Sequence, residues 1–396
     1  MKEGWEYSTI GDLCDKMNGL WKGKIGPFVN VGVIRNANFT KSFTLSFDNI
    51  EYLDVEAKQF KTRKLQKGDL IVEKSGGSEK QPVGRTVLFD KEEGEYSFSN
   101  FTSVLRIKDR TIISPEFLYK YILFVYLRGD TRKMQKATTG IHNIEFDKFL
   151  SISVPKITLS EQQSIVDYLD SAFAKIDAMK ANAEKSLNEA KALFQASLKE
   201  MLEPKEGWEK KKIKDIGSVI GGTTPNTNVA EFWDGTLCWI SPAELDGSHY
   251  LYDSKKKITE AAVKAKSLKL LPEGTVILSS RAPIGKVVIN KVPTYCNQGF
   301  KCVVCGKEIY NEFLYWWFWG NTQYLNSLGT GATFKEISKK VVEEILIPVP
   351  SLSEQQSIIA TLDSLKSKVD RLQANYAKIS LECDALKQAI LRQIFE

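Results

Sequence analysis

The chain has 396 residues, of which 42% are hydrophobic and 11% aromatic, and it carries a formal net charge of +6. This composition is typical of folded protein and excludes an intrinsically disordered chain. No apolar run approaches the roughly 18 residues of a membrane-spanning helix, and the first residues show no apolar signal core, so we expect a cytoplasmic protein that does not associate with membranes.

The surplus of positive charge lies in two regions of similar length. Residues 1–150 contain 24 Lys and Arg against 20 Asp and Glu, and residues 205–350 contain 19 against 15. The segments that follow each region carry no positive surplus. Two mildly basic regions are a weak indication that each of them binds a polyanion.

The first region is predicted to mix strands and helix. The segments "KGDLIVEKS" from Lys67 and "PVGRTVLFD" from Pro82 are typical of a β-hairpin. The segment "SPEFLYKYILFVYLRG" from Ser114 predicts a buried helix with Pro115 in its first turn. The small-residue segment "KATTGIHN" from Lys136 is predicted to be a loop, in which His142 is either a surface histidine or a DNA contact.

A long helix is predicted to follow. Ser160 and Gln163 have the spacing of a capping box, in which each side chain satisfies a free backbone amide, and Pro204 ends the helical pattern. Between them, apolar residues recur at alternating steps of four and three, which is the period of a coiled coil.

The second half of the chain repeats the first. The sequence "LSEQQSI" occurs at Leu159–Ile165 and at Leu352–Ile358, and "KEGWE" occurs at Lys2 and at Lys205. The chain is therefore predicted to be a duplication of a unit of about 200 residues, which is far too long a period for a solenoid.

In the second copy, "EGTVILSSR" and "PIGKVVINK" predict the corresponding hairpin, and "NEFLYWWFWGNTQYLNSL" from Asn311 predicts the corresponding helix. Cys296, Cys302 and Cys305 are either reduced structural thiols or part of a metal site. We favour thiols, because the strand-like "KCVVCG" separates two of the cysteines by three residues and no histidine lies nearby.

A second long helix is predicted to end the chain, and its apolar stripe also follows the coiled-coil period. Each helix of about 40 residues would be roughly 60 Å long. The most economical way to bury both stripes is to pair the two copies in antiparallel orientation, related by a pseudo-two-fold axis. The alternative is two unrelated surface helices.

No catalytic motif is recognisable in the sequence. A methyltransferase N-P-P-[FY] or F-x-G-x-G motif is absent, as is a G-x-x-x-x-G-K-[ST] phosphate loop. The long helical segments of the two copies match closely, whereas their other loops differ in length and chemistry. This pattern indicates two identical partners bound by the similar segments and two different targets bound by the loops.

The residues quoted above resemble the specificity subunit of type I restriction–modification enzymes. The resemblance is carried by the duplicated P-x-x-x-L-S-E-Q-Q-x-I helix entries from Pro155 and Pro348, and by the pattern "EGTVILSSRAPIGKVVI…NQGF" from Glu273 to Phe300. The resemblance implies an α+β fold with two mixed α/β target-recognition domains, at 1–155 and 205–349. They would be separated by two long antiparallel coiled-coil helices, at 156–204 and 350–396.

The resemblance also implies a non-catalytic chain that reads a bipartite, asymmetric site on double-stranded DNA. It implies two modification subunits bound through the helices and restriction subunits that join for cleavage. S-adenosylmethionine, ATP and Mg²⁺ are expected on those partner subunits, with no cofactor and no metal on this chain. In copy one, Lys74 stands where the family frequently has an arginine.

Polar and basic residues in the predicted loops are the candidates for DNA contact. Arg85 and Arg281 are best placed for bidentate contacts with guanine, because a guanidinium matches the two acceptors of that base. The alternative for each arginine is a surface salt bridge. The remaining candidates are Lys74, Ser75, Thr138, Thr139, His142, Thr223, Thr224, Asn226, Ser280, Lys286, Thr333 and Lys335.

Three alternatives remain at this point. The chain could be a coiled-coil scaffold whose two modules bind proteins rather than DNA. It could be an enzyme with an unrecognised site. It could also be the specificity subunit of a related system that methylates DNA without restriction.

Overall fold

The structure is a computed structural model that describes residues 5–20, 23, 25–138, 140–281, 283–331 and 335–396. The chain divides into two compact units. Unit 1 comprises Met1–Asn182 together with Ala377–Glu396, and unit 2 comprises Ala183–Tyr376. Each unit therefore contains part of both long helices.

Unit 1 is built from short strands and helices that lead into the first long helix, which continues into unit 2. Its strands are β1 Glu6–Thr9, β2 Cys14–Asn18, β3 Phe28–Ile34, β4 Glu51–Glu56, β5 Leu70–Glu73, β6 Ser75–Gly77, β7 Thr86–Leu88, β8 Tyr96–Phe98, β9 Thr102–Ile107, β10 Gln135–Thr138, β11 Ile141–Ile144 and β12 Ser153–Lys156. Its helices are α1 Ile10–Leu13, α2 Ala57–Arg63, α3 Pro115–Arg128, α4 Phe146–Leu150 and α5 Leu159–Leu202, with 3-10 turns at Asn36–Asn38 and Asp130–Met134.

Unit 2 follows a similar order with fewer strands, and it leads into the second long helix, which ends in unit 1. Its strands are β13 Glu209–Lys212, β14 Gly217–Gly221, β15 Trp233–Ile240, β16 Tyr250–Leu251, β17 Lys256–Ile258, β18 Val276–Ser279, β19 Val287–Asn290, β20 Thr294–Cys296, β21 Phe300–Cys305 and β22 Leu346–Val349. Its helices are α6 Ile213–Ile216, α7 Glu260–Lys266, α8 Asn311–Gly320, α9 Thr322–Ser327, α10 Lys339–Glu343 and α11 Leu352–Phe395, with 3-10 turns at Ala230–Phe232 and Pro242–Glu244.

The sheets of the two units share one plan. In unit 1 the main sheet has the order β2-β9-β5-β7 and in unit 2 the order β14-β21-β18-β19-β16. A second sheet, β4-β3-β8 or β17-β15-β20, combines one antiparallel and one parallel pair in each unit. A two-stranded sheet, β1-β12 or β13-β22, ties the start of each unit to the strand before its long helix. The predicted duplication and both predicted hairpins are confirmed.

One buried helix packs on the main sheet of each unit, as predicted. In α3, Ser114 caps the N-terminus through the amide of Phe117, Pro115 occupies the first turn, and Gly129 ends the helix with a positive φ of 89°. The prediction of one continuous helix from Asn311 is wrong in unit 2. The backbone leaves helical geometry at Asn321, so the segment forms α8 and α9.

Both long helices have 44 residues, and the capping box predicted at Ser160 and Gln163 lies two residues too late. The observed boxes use Thr158 with Glu161 and Ser351 with Glu354. The hydroxyl of each first residue accepts from the glutamate amide, and the glutamate carboxylate accepts from the first residue's amide at 2.9 and 3.0 Å. Each glutamate also lies in the first turn, where the helix dipole favours a negative charge.

The repeated "SEQQ" motif has a different structural role, carried by its first glutamine. In unit 1, Gln162 accepts a hydrogen bond from the Ser114 amide at 2.8 Å and donates to the carbonyls of Ile112 and Ile157 at 2.8 and 2.9 Å. The side chain is buried. It therefore pins the start of α5 to the segment that enters α3.

Unit 2 repeats this pin with Gln355. Its amide accepts from the backbone of Tyr310 at 2.9 Å and donates to the carbonyls of Glu308 and Pro350 at 2.9 and 3.0 Å. One buried glutamine thus satisfies three backbone groups where each long helix leaves its sheet, which explains why the motif appears twice.

The two long helices run antiparallel where they meet in unit 1. Lys387 of α11 donates to Asp177 of α5 at 2.6 Å, and Asp384 pairs with Lys180 at 3.5 Å, so residue numbers rise on one helix as they fall on the other. In unit 2, Phe194, Leu198 and Leu202 of α5 share a hydrophobic core with Leu362 and other residues of α11 and with α8. The predicted antiparallel helices are confirmed.

None of the helices in the described part of the chain is both long enough and apolar enough to cross a membrane.

Candidate nucleic-acid interface

The turn after β5 holds the first group of candidates in unit 1. The Lys74 amide donates to the carbonyl of Phe101 at 2.9 Å, and the Lys74 carbonyl accepts from the amide of Ile144 at the same distance. Ser75 is buried, and its carbonyl accepts from the side chain of Asn36 at 2.6 Å. Three separate segments therefore fix the backbone of this turn.

Lys74 is the basic residue of this turn, and its side chain is half-buried. Burial, reinforced by the positive charge of Lys16, lowers the pKa of the Lys74 ammonium group. A lysine in such a position gains from a neighbouring anion, because the anion offsets both the lost hydration and the repulsion. Lys74 is therefore suited to a phosphate.

Arg85 does not extend toward solvent. Its guanidinium donates twice to the carboxylate of Glu73, from Nε at 2.7 Å and from Nη2 at 3.3 Å, and it also lies over the ring of Phe39. The side chains of Arg85 and Glu73 are only 12% and 2% exposed. This placement disfavours the expected guanine contact of Arg85, because the guanidinium faces a buried carboxylate instead of solvent.

The segment predicted to be a loop near His142 is mostly a hairpin. Strand β10 pairs with β11, and His142 lies opposite Ala137 in β10 and Gly77 in β6. The imidazole is half-buried, and its Nδ1 is buried without a partner among the described residues. Thr138 ends β10, and its side chain lies outside the described part of the chain, as does all of Thr139.

The corresponding turn in unit 2 has the same backbone hydrogen bonds. The Ser280 amide donates to the carbonyl of Gly299 at 2.8 Å, and the Ser280 carbonyl accepts from the amide of Ile337 at 2.9 Å. These bonds make Ser280 the structural equivalent of Lys74. One residue further along, Arg281 lies opposite Glu336 in unit 2, and Ser75 lies opposite Asn143 in unit 1. Ser75, and not Lys74, therefore occupies the position of the arginine in unit 2.

Arg281 belongs to an ionic cluster that reaches the surface. Its Nε donates to Oε2 of Glu336 at 2.9 Å, and the buried ammonium of Lys301 donates to Oε1 of the same carboxylate at 3.2 Å. The Arg281 side chain is 45% exposed. Burial opposes ionisation of Glu336, but the two cationic donors outweigh it and lower the pKa of that carboxyl group.

A threonine and a glutamine lie beside this cluster. The Thr224 hydroxyl donates to the side-chain carbonyl of Gln298, and the backbone carbonyl of Gln298 accepts from Lys301 at 3.3 Å. Thr223 is anchored through its backbone, which donates to Cys296 at 2.9 Å and accepts from the indole of Trp239. Asn226 lies further along this exposed loop, and its carbonyl accepts from the indole of Trp233.

The remaining candidates of unit 2 differ in their freedom. Lys286 occupies the position equivalent to Arg85, and its ammonium donates to the carbonyl of Leu245 at 3.0 Å. Lys335 is exposed, next to Glu336. Thr333 lies outside the described residues.

Comparison with known proteins identifies the family of this chain. The sequence pattern of the type I restriction modification DNA specificity domain matches residues 2–189 and again residues 205–381. The chain belongs to this specificity family. The two matches coincide with the two copies of the repeat.

Named relatives of this family align with parts of the chain. The MjaIX specificity subunit of Methanocaldococcus jannaschii is 42% identical over 45% of this chain and 43% of its own length. The EcoR124I/EcoR124II specificity subunit of Escherichia coli is 33% identical over 53% of this chain and 52% of its own length. The chain thus spans about half the length of these two relatives.

Solved structures share the fold of this chain over its whole length. One, from a study of complex assembly and conformational transition of the type I R-M system, has a TM-score of 0.81 with 18% identity, covering 100% of this chain and 98% of its own. The HsdS subunit of Thermoanaerobacter tengcongensis has a TM-score of 0.64 with 18% identity, covering 100% of this chain and 97% of its own.

The sequence did not single out Lys301, Gln298 or Glu336 as site residues. One signal was available for Lys301, because a lysine within the apolar strand "FKCVVC" is rarely buried without a charged partner. Glu336 carried no such signal. It lies 55 residues from Arg281 along the chain, and only the bridge between the two turns brings them together.

The cysteines of unit 2 are free thiols. Cys296 and Cys302 are buried, with their sulfur atoms 3.5 Å apart, and Cys305 lies on the same strand as Cys302. Burial raises the pKa of the Cys305 thiol to about 12, which opposes formation of a metal-binding thiolate. No group of three or more His, Cys, Asp or Glu residues that could hold a metal ion is found in the described part of the chain.

Proposed function

We propose that the chain selects the DNA target of a type I restriction–modification enzyme, with unit 1 reading one half-site and unit 2 reading the other. The observation that carries this proposal is one backbone plan that appears twice with different chemistry at the same turn. Unit 1 places Ser75 opposite Asn143, whereas unit 2 places Arg281 opposite Glu336. Two different surfaces on one frame favour a bipartite, asymmetric site.

Binding to DNA would combine phosphate contacts with base contacts. The basic surplus of residues 1–150 and 205–350 suits a polyanion, and lysines at the turns would neutralise phosphates and set the register of the duplex. We assign this role to Lys74, Lys286 and Lys335, and assign direct contact with a base to Arg281. The other polar candidates are proposed to contact bases or phosphates: Thr138, Thr139, His142, Thr223, Thr224, Asn226 and Thr333. Ser75 and Ser280 are buried, so we propose that they position their turns instead of contacting DNA.

The long helices would bind two copies of a modification subunit. The first turn of each helix presents the same exposed side chains, including Leu159 and Leu352, which are 41% and 42% exposed. Packing within the chain does not require large exposed leucines at equivalent positions, whereas two identical partners would explain them. Restriction subunits would join the same assembly for cleavage.

The chemistry of the enzyme would reside in these partners. We infer that S-adenosylmethionine, ATP and Mg²⁺ bind to the modification and restriction subunits, and that this chain contributes no catalytic residue. A DNA target in the host chromosome would place the assembly in the bacterial or archaeal cytoplasm.

The proposal can be tested with the assembled complex of this chain and the modification subunit encoded with it. The complex would select binding sites from a library of random DNA duplexes, and the bound sequences would be determined at two salt concentrations. We expect two short, unlike sequences separated by a fixed number of unspecified bases, with affinity falling steeply as salt rises. A continuous or palindromic site would contradict the proposal.

A scaffold that binds proteins is the second candidate function, and the same experiment addresses it. Such a scaffold would retain no duplex above background at either salt concentration. Mapping methylated adenines in the host genome, with and without the restriction gene, would then separate a restricting system from one that only methylates.

A further inference from the structure

The guanidinium of Arg281 is held by its Nε and is open at its other end. Glu336 accepts the Nε hydrogen of Arg281 at 2.9 Å. Among the described residues, no acceptor takes a hydrogen from either Nη atom, and the side chain is 45% exposed. A single fixed Nε bond orients the planar guanidinium and leaves its two Nη groups for an external acceptor.

The carboxylate that holds Arg281 is itself held from beneath. Lys301 is only 8% exposed, and its ammonium donates to Glu336 at 3.2 Å, to the Ser280 hydroxyl at 3.0 Å and to the Gln298 carbonyl at 3.3 Å. All three hydrogens of the ammonium therefore have an acceptor. A fully bonded buried cation resists movement, so Glu336 has a fixed charge on its inner side.

Unit 1 has no equivalent of this cluster. Ser75 lies where unit 2 has Arg281, and Asn143 lies where it has Glu336. Ser103 faces Val72 as Lys301 faces Leu278 in the other unit, so it takes the place of Lys301. None of these three side chains is ionisable, so the described residues of unit 1 hold no arginine at this position of the turn.

We propose that Glu336 is a positioning residue that holds Arg281 for bidentate recognition of a guanine, and that Lys301 fixes Glu336 in place. This inference rests on the proposed function of unit 2 as the reader of one half-site. The paired Nη donors match the O6 and N7 acceptors that guanine presents in the major groove. Restriction of the arginine before binding would reduce the entropy lost when it meets the base.

A phosphate would also accept from a guanidinium, but the effect of losing it would differ. Loss of a phosphate contact weakens binding to all sequences alike, whereas loss of a guanine contact removes the preference at one base pair. The guanine is favoured because the arginine is held at a defined orientation, which a flexible charge on a phosphate does not require. The experiment below separates the two.

The test uses the assembled complex and selection from a random duplex library. The variants are Arg281→Ala, Glu336→Ala and the double variant, with Lys335→Ala as the matched control on the same turn. Arg281→Ala is expected to reduce the preference for one G·C pair of the unit 2 half-site roughly 5- to 150-fold. Glu336→Ala is expected to reduce the preference at the same pair roughly 2- to 12-fold.

The double variant identifies the route by which Glu336 acts. If Glu336 works through Arg281, the double variant will match Arg281→Ala at that base pair, with no further loss. Lys335→Ala is expected to weaken binding to all sequences without changing the selected sequence. The unit 1 half-site should stay unchanged in every variant.

Several outcomes would overturn the inference while leaving the proposed function intact. They are an unchanged preference in Arg281→Ala or Glu336→Ala, a uniform loss across all sequences, and additive losses in the double variant. Where Glu336→Ala does not fold, Glu336→Gln replaces it, because the amide oxygen can still accept from Nε but its NH₂ group would face Lys301. A smaller loss at the same base pair supports the inference, and no loss contradicts it. If the wild-type complex selects no sequence at all, the proposed function itself fails.

Discussion

The turn after strand β5 in unit 1 and the turn after strand β18 in unit 2 have the same backbone hydrogen bonds. An arginine–glutamate pair is nevertheless buried in unit 1 and exposed in unit 2. In unit 1, Arg85 and Glu73 form a buried pair beneath the turn. In unit 2 those two positions are Lys286 and Ser279, and the arginine pair lies instead at the surface, between Arg281 and Glu336. The inner pair of unit 1 is buried, whereas the outer pair of unit 2 reaches solvent, where we propose that its arginine contacts DNA.

A second pair of equivalent positions also keeps its place in the fold while one of its side chains differs between the units. Asp170 of α5 pairs with Lys120 of α3, whereas Asp363 of α11 accepts from the indole of Trp316 at 2.9 Å. The carboxylate stays at the same helix position while its partner changes from a cation to a neutral donor. The glutamine pins at Gln162 and Gln355, by contrast, are alike in both copies. The duplicated frame therefore tolerates change in side-chain partners but retains the residues that fix its backbone.

The largest loss of stability is expected when one partner of the buried Arg85–Glu73 pair is removed from unit 1. Glu73→Ala leaves the guanidinium of Arg85 buried without its partner, so the free energy of unfolding of unit 1 should fall by about 3–5 kcal/mol. Urea unfolding, with hydrogen exchange to locate the change in strands β5 and β7, would measure this. The double variant Glu73→Ser and Arg85→Lys introduces the residues of unit 2 and should lose less. An equal loss in both variants would show that the two frames are not interchangeable.

The next largest loss of stability is expected at Gln162 and Gln355, the buried glutamines that fix the starts of the two long helices. Gln162→Leu removes three hydrogen bonds and leaves the Ser114 amide and two carbonyls without a partner, which should lower the free energy of unfolding by about 2–4 kcal/mol. Gln355→Leu should have a similar effect in unit 2. The neighbouring Gln163 is exposed, and among the described residues its side chain hydrogen-bonds only to Asp167 of its own helix, so Gln163→Leu is the matched control and should change stability by less than about 0.5 kcal/mol. A control as damaging as the pin variant would refute this role.

A smaller, pH-dependent effect is expected at His249 in unit 2. His249 is stacked between Tyr250 and Tyr315, with ring centroids 4.2 and 3.8 Å away. Burial, with the charges of Lys291 and Lys366, lowers the pKa of His249 to about 4. Between that pH and about 6.5, the unfolded chain binds a proton that the folded chain does not, so acid favours unfolding.

The measurement compares wild type with His249→Phe. As the pH falls from about 6.5 toward 4, the wild-type free energy of unfolding should decrease by roughly 1–3 kcal/mol more than that of the variant, discounted for partial exposure of the ring. Taking the difference between the two proteins removes the titration of carboxylates that both share. Parallel pH profiles would show that His249 keeps an ordinary pKa.

Local sequence patterns predicted most of the helices, the hairpins and the duplication. The period of three and four predicted both long helices, the duplication predicted two copies of one plan, and alternation with turn residues predicted the hairpins around Leu70–Glu73 and Val276–Ser279. Helix boundaries were less predictable, because Thr158 and Ser160 both offer a capping hydroxyl with Glu or Gln three residues later.

The site was less predictable than the frame, for a physical reason. Whether an arginine faces inward or outward depends on a partner brought near by tertiary structure, such as Glu73 for Arg85 or Glu336 for Arg281. A candidate chosen by residue type and turn position cannot separate these two cases. The comparison of the copies could separate them only after backbone hydrogen bonds had aligned Ser75, rather than Lys74, with Arg281.

The smallest expected effect on stability is at the exposed pair of unit 2, and it completes the contrast with unit 1. Glu336 and Arg281 are 35% and 45% exposed, so water can replace either partner and Arg281→Ala should change the free energy of unfolding by only about 0–1 kcal/mol. Arg85→Ala, measured in the same way, should lose several times more because it leaves Glu73 buried and unpaired. If Arg281→Ala were instead as destabilising as Arg85→Ala, the outer arginine would be part of the frame, and its availability for DNA would have to be abandoned.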